Sequence, residues 1–446
     1  MAIDLNQRRI RYWLGAMSLA NTGLLYAEGV LKSGWFEVAL LLPILFFILS
    51  RKPLAFLLPT LMAIMAVSLT LVISDIALRP FLERRLNYTA LNVYSHSHPP
   101  LPIVARWDSH LDLVDELYGD LAAVHGNPAL QERRRIVFRT DEAGFRNEKV
   151  PDQIDLIALG DSNTAGWGTS QESIFSELLQ RQGIRTYNLG YPGGPYEEYI
   201  NFAIEWPRLK VKPQALLVWT LYVGNDMDDE GGNVWDLDKL PWRNSFGQWL
   251  VHCRTFRNRS PLNRLANNIL TRSHPLSKGG ITIRNLPDGA AMLFSDKHED
   301  WSRKPQSAVE EHPNFAKLKR TFAAMRELTQ KRDVQVIVLI LPTKGDIYRW
   351  IVESRTTVPE DRAPTGVAEA MRGACEQAGF RCIDMKPYLY DVALRLYQSS
   401  GKLLWWRDDT HLGEDGHEAI ARFVMDLREA MVGAKLVPNV PHPPQL

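Results

Sequence analysis

Four short blocks carry the residue types that acyl chemistry needs. Gly160-Asp161-Ser162 places a hydroxyl directly after the apolar run Ile154 to Leu159. Asn188-Leu189-Gly190-Tyr191-Pro192-Gly193-Gly194 follows a second strand-like run, Ile184 to Asn188. Gly224-Asn225-Asp226 closes a third, Ala215 to Tyr222. Asp408-Asp409-Thr410-His411 comes near the C-terminus, ahead of a helical pattern from about Asp415 to Met431. In order they offer a nucleophile, backbone donors, a side-chain amide donor and a carboxylate–histidine pair, the inventory for acyl transfer through a serine. Singly each has an ordinary reading. A serine after Gly-Asp can be an N-cap, Asn-Asp can be a turn, and a histidine can be a surface residue. Jointly, in this order and after successive strands, they point to a site.

The elements that must position these blocks alternate along the chain. Strand-like runs at 154–159, 184–189, 214–222, 334–341 and 381–385 are interleaved with helical patterns at 172–182, 196–209, 313–331, 364–378 and 387–398. Such alternation predicts an α/β fold, a parallel sheet covered by helices on both faces. The serine, the glycines and the asparagine all follow strands, which puts them on the carboxyl edge where such sheets bind ligands.

The ordered set resembles the SGNH (GDSL-like) hydrolase superfamily over roughly residues 151–435. The resemblance implies a three-layer α/β/α, flavodoxin-like sheet. It maps the four invariant residues onto Ser162, Gly193, Asn225 and His411, with Gly193 preferred to Gly190 by its distance from Asn188. Asp408 takes the carboxylate position in the spacing Asp-x-x-His. The oxyanion donors would be the N–H groups of Ser162 and Gly193 and the Asn225 side chain, each worth about 3 kcal/mol in the barrier. Asn163 departs from the leucine or phenylalanine that usually follows the serine. The stretches Gly160 to Gly168, Leu341-Pro342-Thr343-Lys344 and Asp409-Thr410-His411-Leu412 are also similar to the branch that handles O-acetyl groups on bacterial exopolysaccharides. That branch can use Asp-x-His, which makes Asp409 the rival carboxylate. The implied activity is a serine esterase or O-acetyltransferase acting on acyl esters of an envelope or exported glycan, with a membrane acyl-donor protein as a candidate partner. The alternative is a catalytically silent binding or scaffold protein on the same fold.

Composition narrows the setting. The chain has 446 residues, 45% hydrophobic and 23% charged, with a formal net charge of +1. That balance gives no footing for nucleic acid, and Arg133-Arg134-Arg135 reads as a solvated face. Apolar residues crowd into three blocks, Trp13–Val30, Gly34–Ser50 and Pro53–Leu78. A spanning helix needs roughly 20 apolar residues, so residues 1–80 are expected to form a transmembrane helical segment of about three spans in the lipid bilayer. Arg8, Arg9 and Arg11, with Arg51 and Lys52, place the N-terminus in the cytoplasm and the catalytic domain outside an inner (plasma) membrane. Residues 81–150 read as a connector, 227–311 as an insertion beside the site, and 436–446 as an extended tail. Trp235, Trp242 and Trp249 in the insertion are read as helix packing. The three cysteines, Cys253, Cys375 and Cys382, make no framework. Cys375 and Cys382 are read as partly buried thiols, although an export compartment would permit a bridge. No ligand set has zinc spacing, His96 and His98 read as an exposed loop, and no metal or cofactor is expected.

Overall fold

The computed structural model describes residues 5–27, 54–82, 95–98, 101–232, 234–236, 262, 280–353 and 361–436. Contacts divide the chain into two units, residues 1–107 with 240–276 and residues 108–239 with 277–446.

The second unit is built on five parallel strands. They are β5 (Ile154–Leu159), β6 (Thr186–Asn188), β7 (Val211–Tyr222), β10 (Gln335–Leu341) and β11 (Arg381–Asp384), in the order β11-β10-β7-β5-β6. Renumbered within the sheet this is the flavodoxin-like order 2-1-3-4-5, whose switch point lies between β5 and β7. Both strands are near-continuous apolar runs because both faces are covered. Leu156, Ala158, Leu216, Val218, Ile337 and Leu339 pack on one face in a cluster with residues of helices Phe175–Arg181, Lys386–Ser400 and Glu414–Leu436. Side chains alternate along a strand, so Trp219 points the other way. It meets Phe322 of helix Pro313–Lys331 with ring centroids 5.3 Å apart. That helix packs on Pro195–Glu205, completing the third layer.

Two regions hold more structure than the sequence suggested. The stretch read as a connector contributes to the second unit from Asp108 onward. It supplies the antiparallel pair β3 (Asp112–Leu117) and β4 (Arg134–Arg139) and the short helix Asp120–His125. The described part of the insertion contains the hairpin β8 (Ile281–Asn285) and β9 (Ala291–Ser295), then helices Asp296–Ser302 and Gln306–Glu310. Trp235 donates its ring N–H to Thr321 and rests edge-on to Tyr196, whereas Trp242 and Trp249 lie outside the described residues. Cys375 and Cys382 are joined by a disulfide, correcting the thiol reading. The bridge ties the end of helix Gly366–Gln377 to the start of β11, two segments that chain reversal already brings side by side.

In the first unit, helices Leu5–Ala27 and Leu54–Leu82 are linked by a hydrogen bond from Asn21 to Ser68. A short pair, β1 (Ser95–His98) and β2 (Leu101–Trp107), puts His96 and His98 on a strand rather than a loop. Among the described helices, Ala55–Leu78 alone is long and apolar enough to cross a membrane. The three-span expectation is therefore not supported. Leu5–Ala27 is helical but carries Arg8, Arg9 and Arg11, and the block 34–50 lies outside the described residues, as do Cys253 and the tail 437–446.

Candidate active site

The serine is held by local chain geometry. At the end of β5, a side chain on Gly160 would overlap the hydroxyls of Thr220 and Thr164. Asp161 caps the next helix, Ser162–Ala165, by accepting from the Asn163 N–H at 2.9 Å. Asn163 donates to Asp161 at 3.2 Å and accepts from the Leu412 N–H at 3.3 Å. This polar residue, where the resemblance favours an apolar one, ties the serine turn to the histidine loop.

The histidine loop is closed by a bridge between Trp405 and Leu412. It brings His411 Nε2 to 2.8 Å from Ser162 Oγ. On the other side of the ring, Nδ1 lies 2.7 Å from Asp409 Oδ1. The carboxylate at the imidazole is thus Asp409, not Asp408. Asp408 is turned away and saturated. Its Oδ2 accepts from the Gly119 and Glu132 N–H groups, each at 2.7 Å, and its Oδ1 pairs with Arg134 at 2.9 Å. Arg134 also reaches Asp409 Oδ2 at 2.6 Å and lies over the Trp406 ring at 4.4 Å. The basic run 133–135 is accordingly not one solvated face. Arg133, just before β4, and Arg135 on it are exposed, while Arg134, which opens the strand, points inward.

Lys344, at the start of helix Lys344–Ile347, is buried beneath the same loop. Its ammonium donates to the carbonyls of Asp409 at 2.7 Å and of Trp406 and Arg407 at 3.2 Å. Burial lowers its pKa to about 8, against the pull of Asp120, Asp409 and Asp408. Burial also penalises charge on His411, but Asp409, Asp120 and Asp161 outweigh it and raise its pKa. For Asp409 the imidazole and Arg134 overcome burial and hold the carboxyl well below its usual range.

The remaining candidates divide. Gly190 is buried, and a Cβ there would run into the backbone of Thr164 and Ala165, so its role is close packing under the serine helix. Its N–H is taken by Asn188 Oδ1 at 2.8 Å. Gly193 is half-buried before helix Pro195–Glu205, where an added Cβ would stand 3.3 Å from the Glu197 side chain. Asn225 ends the β7 loop with its amide nitrogen 2.6 Å from Asp229 Oδ2.

Asp120, Asp409 and His411 have ligand atoms within 4.8 Å of one another. Hydrogen bonds account for this convergence, and we assign no metal to it. Sequence reasoning missed Asp120 and Arg134. The alternation Arg134-x-Ile136-x-Phe138 was the available signal for the second, and nothing local marks the first.

No curated protein matches the chain. A family match covers helix Asp296–Ser302 onward, including β10, β11 and the loop bearing Asp409 and His411, while Ser162 lies before it. Residues 293–438 match the SGNH hydrolase-like domain of the acetyltransferase AlgX.

Proposed function

We propose that the chain is a membrane-anchored serine enzyme that removes or transfers acetyl groups carried as esters on an envelope or exported glycan. The observation that carries the reading is the unbroken sequence Ser162 Oγ, His411 ring, Asp409 carboxylate, with links of 2.8 Å and 2.7 Å. In this mechanism His411 takes the serine proton as Oγ attacks the acyl carbon, and Asp409 stabilises the imidazolium. The imidazolium then protonates the departing alcohol, leaving an acyl-serine. Water or a sugar hydroxyl, deprotonated by His411, releases the acyl group. The N–H groups of Ser162 and Gly193 and the Asn225 amide are the donors proposed for the oxyanion. The family match supports acetyl-ester chemistry on a polysaccharide.

The apolar helix Ala55–Leu78 suits an anchor. The Cys375–Cys382 bridge suits an oxidising compartment outside the cytoplasm, as do the basic flanks. Full-length protein in detergent is expected to react with a fluorophosphonate probe and to cleave a chromogenic acetyl ester, and Ser162→Ala is expected to do neither. Labelling that survives in Ser162→Ala would sink the serine assignment. Alkaline phosphatase fused after Trp107 reports sidedness and is expected to be active.

A further inference from the structure

His411 Nδ1 faces two carboxyl groups, not one. Beyond Asp409, Oδ2 of Asp120 lies 3.8 Å from the same nitrogen. Asp120 is also fastened to the residue between them, accepting from the Thr410 N–H at 2.8 Å and from its hydroxyl at 2.5 Å. The chain around Asp120 grips the loop further. Gly119 donates to the Asp408 carboxylate, and the Ala122 N–H donates to the Asp408 carbonyl at 3.1 Å. Gly119 has no room for a side chain, because a Cβ would overlap the Asp408 backbone. Asp120 thus reaches the imidazole from a segment far upstream, held on both sides.

We propose that Asp120 is a positioning residue of this site, a second carboxyl that fixes Thr410 and His411 and balances the imidazolium as it forms. The assignment rests on the serine reading above. The charges around it support the role. Arg134 and Lys344 supply two positive charges against Asp408 and Asp409. With His411 neutral, an ionised Asp120 would leave one negative charge uncompensated. Burial and then Asp409 raise the Asp120 pKa to about 7. With His411 charged, an ionised Asp120 is matched. The groups facing Asp120 are Asp409 and His411 from the loop, Lys344 from the helix after β10, and Tyr222 from the end of β7. The packed strand β9 brings no titratable group.

The test measures fluorophosphonate labelling and acetyl-ester cleavage by the full-length chain across the pH range for wild type, Asp120→Asn and Asp120→Glu. Asp120→Asn is expected to slow labelling and kcat about tenfold to thirtyfold with KM little changed. His411 loses a carboxylate that raises its pKa, so the acid limb of the profile shifts to lower pH. Asp120→Glu is expected to restore the wild-type midpoint. A folded Asp120→Asn variant with unchanged midpoint and rate overturns the assignment. Should that variant not fold, Thr410→Ala removes the hydroxyl donor from Asp120, and an unmoved midpoint there overturns it equally. A wild type that takes no probe defeats the serine reading itself. A wild type that labels beside an Asp120→Asn variant that behaves alike defeats only the Asp120 role.

Discussion

Asp408 and Asp409 are neighbours in sequence with opposite surroundings, and exchanging each for asparagine separates chemistry from scaffolding. Asp409 faces the imidazole at 2.7 Å. With charge centres about 4 Å apart and an effective dielectric near 20, its attraction to the imidazolium is about 4 kcal/mol. At 1.36 kcal/mol per decade, Asp409→Asn is expected to lower kcat about 10³-fold. Arg134 keeps its pairing with Asp408, so the fold should hold. Asp408→Asn leaves His411 and its partner intact. Its amide nitrogen would meet the Arg134 guanidinium, donor against donor, while its oxygen kept the two backbone N–H groups. A buried mismatch of that kind costs about 1–3 kcal/mol. Asp408→Asn is therefore expected to lower Tm by roughly 2–10 °C with kcat reduced less than about tenfold. The assays are stopped-flow ester cleavage and thermal melting on the same preparations. A larger kcat loss at Asp408 than at Asp409, in two folded variants, would refute the geometry-based argument.

The two glycines of the second block should respond differently. Gly190→Ala drives a methyl into the Thr164–Ala165 backbone and should cost about 1–3 kcal/mol with loss of probe labelling, whereas Gly193→Ala keeps its N–H and should label nearly normally. Equal melting temperatures for the pair would count against the packing role of Gly190. Lys344→Met leaves three loop carbonyls without their ammonium donor and is expected to cost about 2 kcal/mol of stability; an unchanged melting curve would contradict this. Stability should also fall as pH rises from about 5 to 8. Burial, first among the causes, raises Asp120, Glu197, Glu230 and Glu299 each to about 7. Their stabilisation is fully present below the unfolded carboxyl range and is lost as pH passes through 7. His298 and His417, lowered by burial to about 4 and about 3, oppose this only up to their unfolded pKa near 6.5. A melting temperature that climbs between pH 6.5 and 7.5 would defeat the argument.

The sheet was legible because parallel strands buried on both faces are written as uninterrupted apolar runs. Val218-Trp219-Thr220-Leu221 and Val338-Leu339-Ile340-Leu341 leave little choice of element. Ser162 and His411 were legible because each sits at a strand end or before a helix, where local chain direction fixes the side chain. The carboxylate was not, since both aspartates fit a short loop onto the histidine. What separates them is the pair of N–H groups of Gly119 and Glu132 that occupies Asp408, and those contacts cross 289 and 276 residues of chain. Arg134 was hidden in a run of three arginines, where charge suggested solvent while the period of two on β4 turned the middle residue inward. The Cys375–Cys382 bridge was a matter of compartment as much as sequence, since both the thiol and the bridged state suit a helix that turns back into a strand.

The distance between Gly119 and Asp408 also has a consequence in time. The segment that clamps the histidine loop leaves the ribosome 289 residues ahead of its partner. At about 5–20 residues per second that is a delay of roughly 15–60 s. Ser162 precedes His411 by 249 residues, so the serine too waits for its partner. Closing loops of this length comes late in assembly, after local helices and hairpins have formed. On the serine reading proposed above, the hydroxyl gains its base only when helix Glu414–Leu436 docks and carries the loop into place. On that reading, a nascent chain stalled before that point would hold all five strands of the parallel sheet with a serine that has no base.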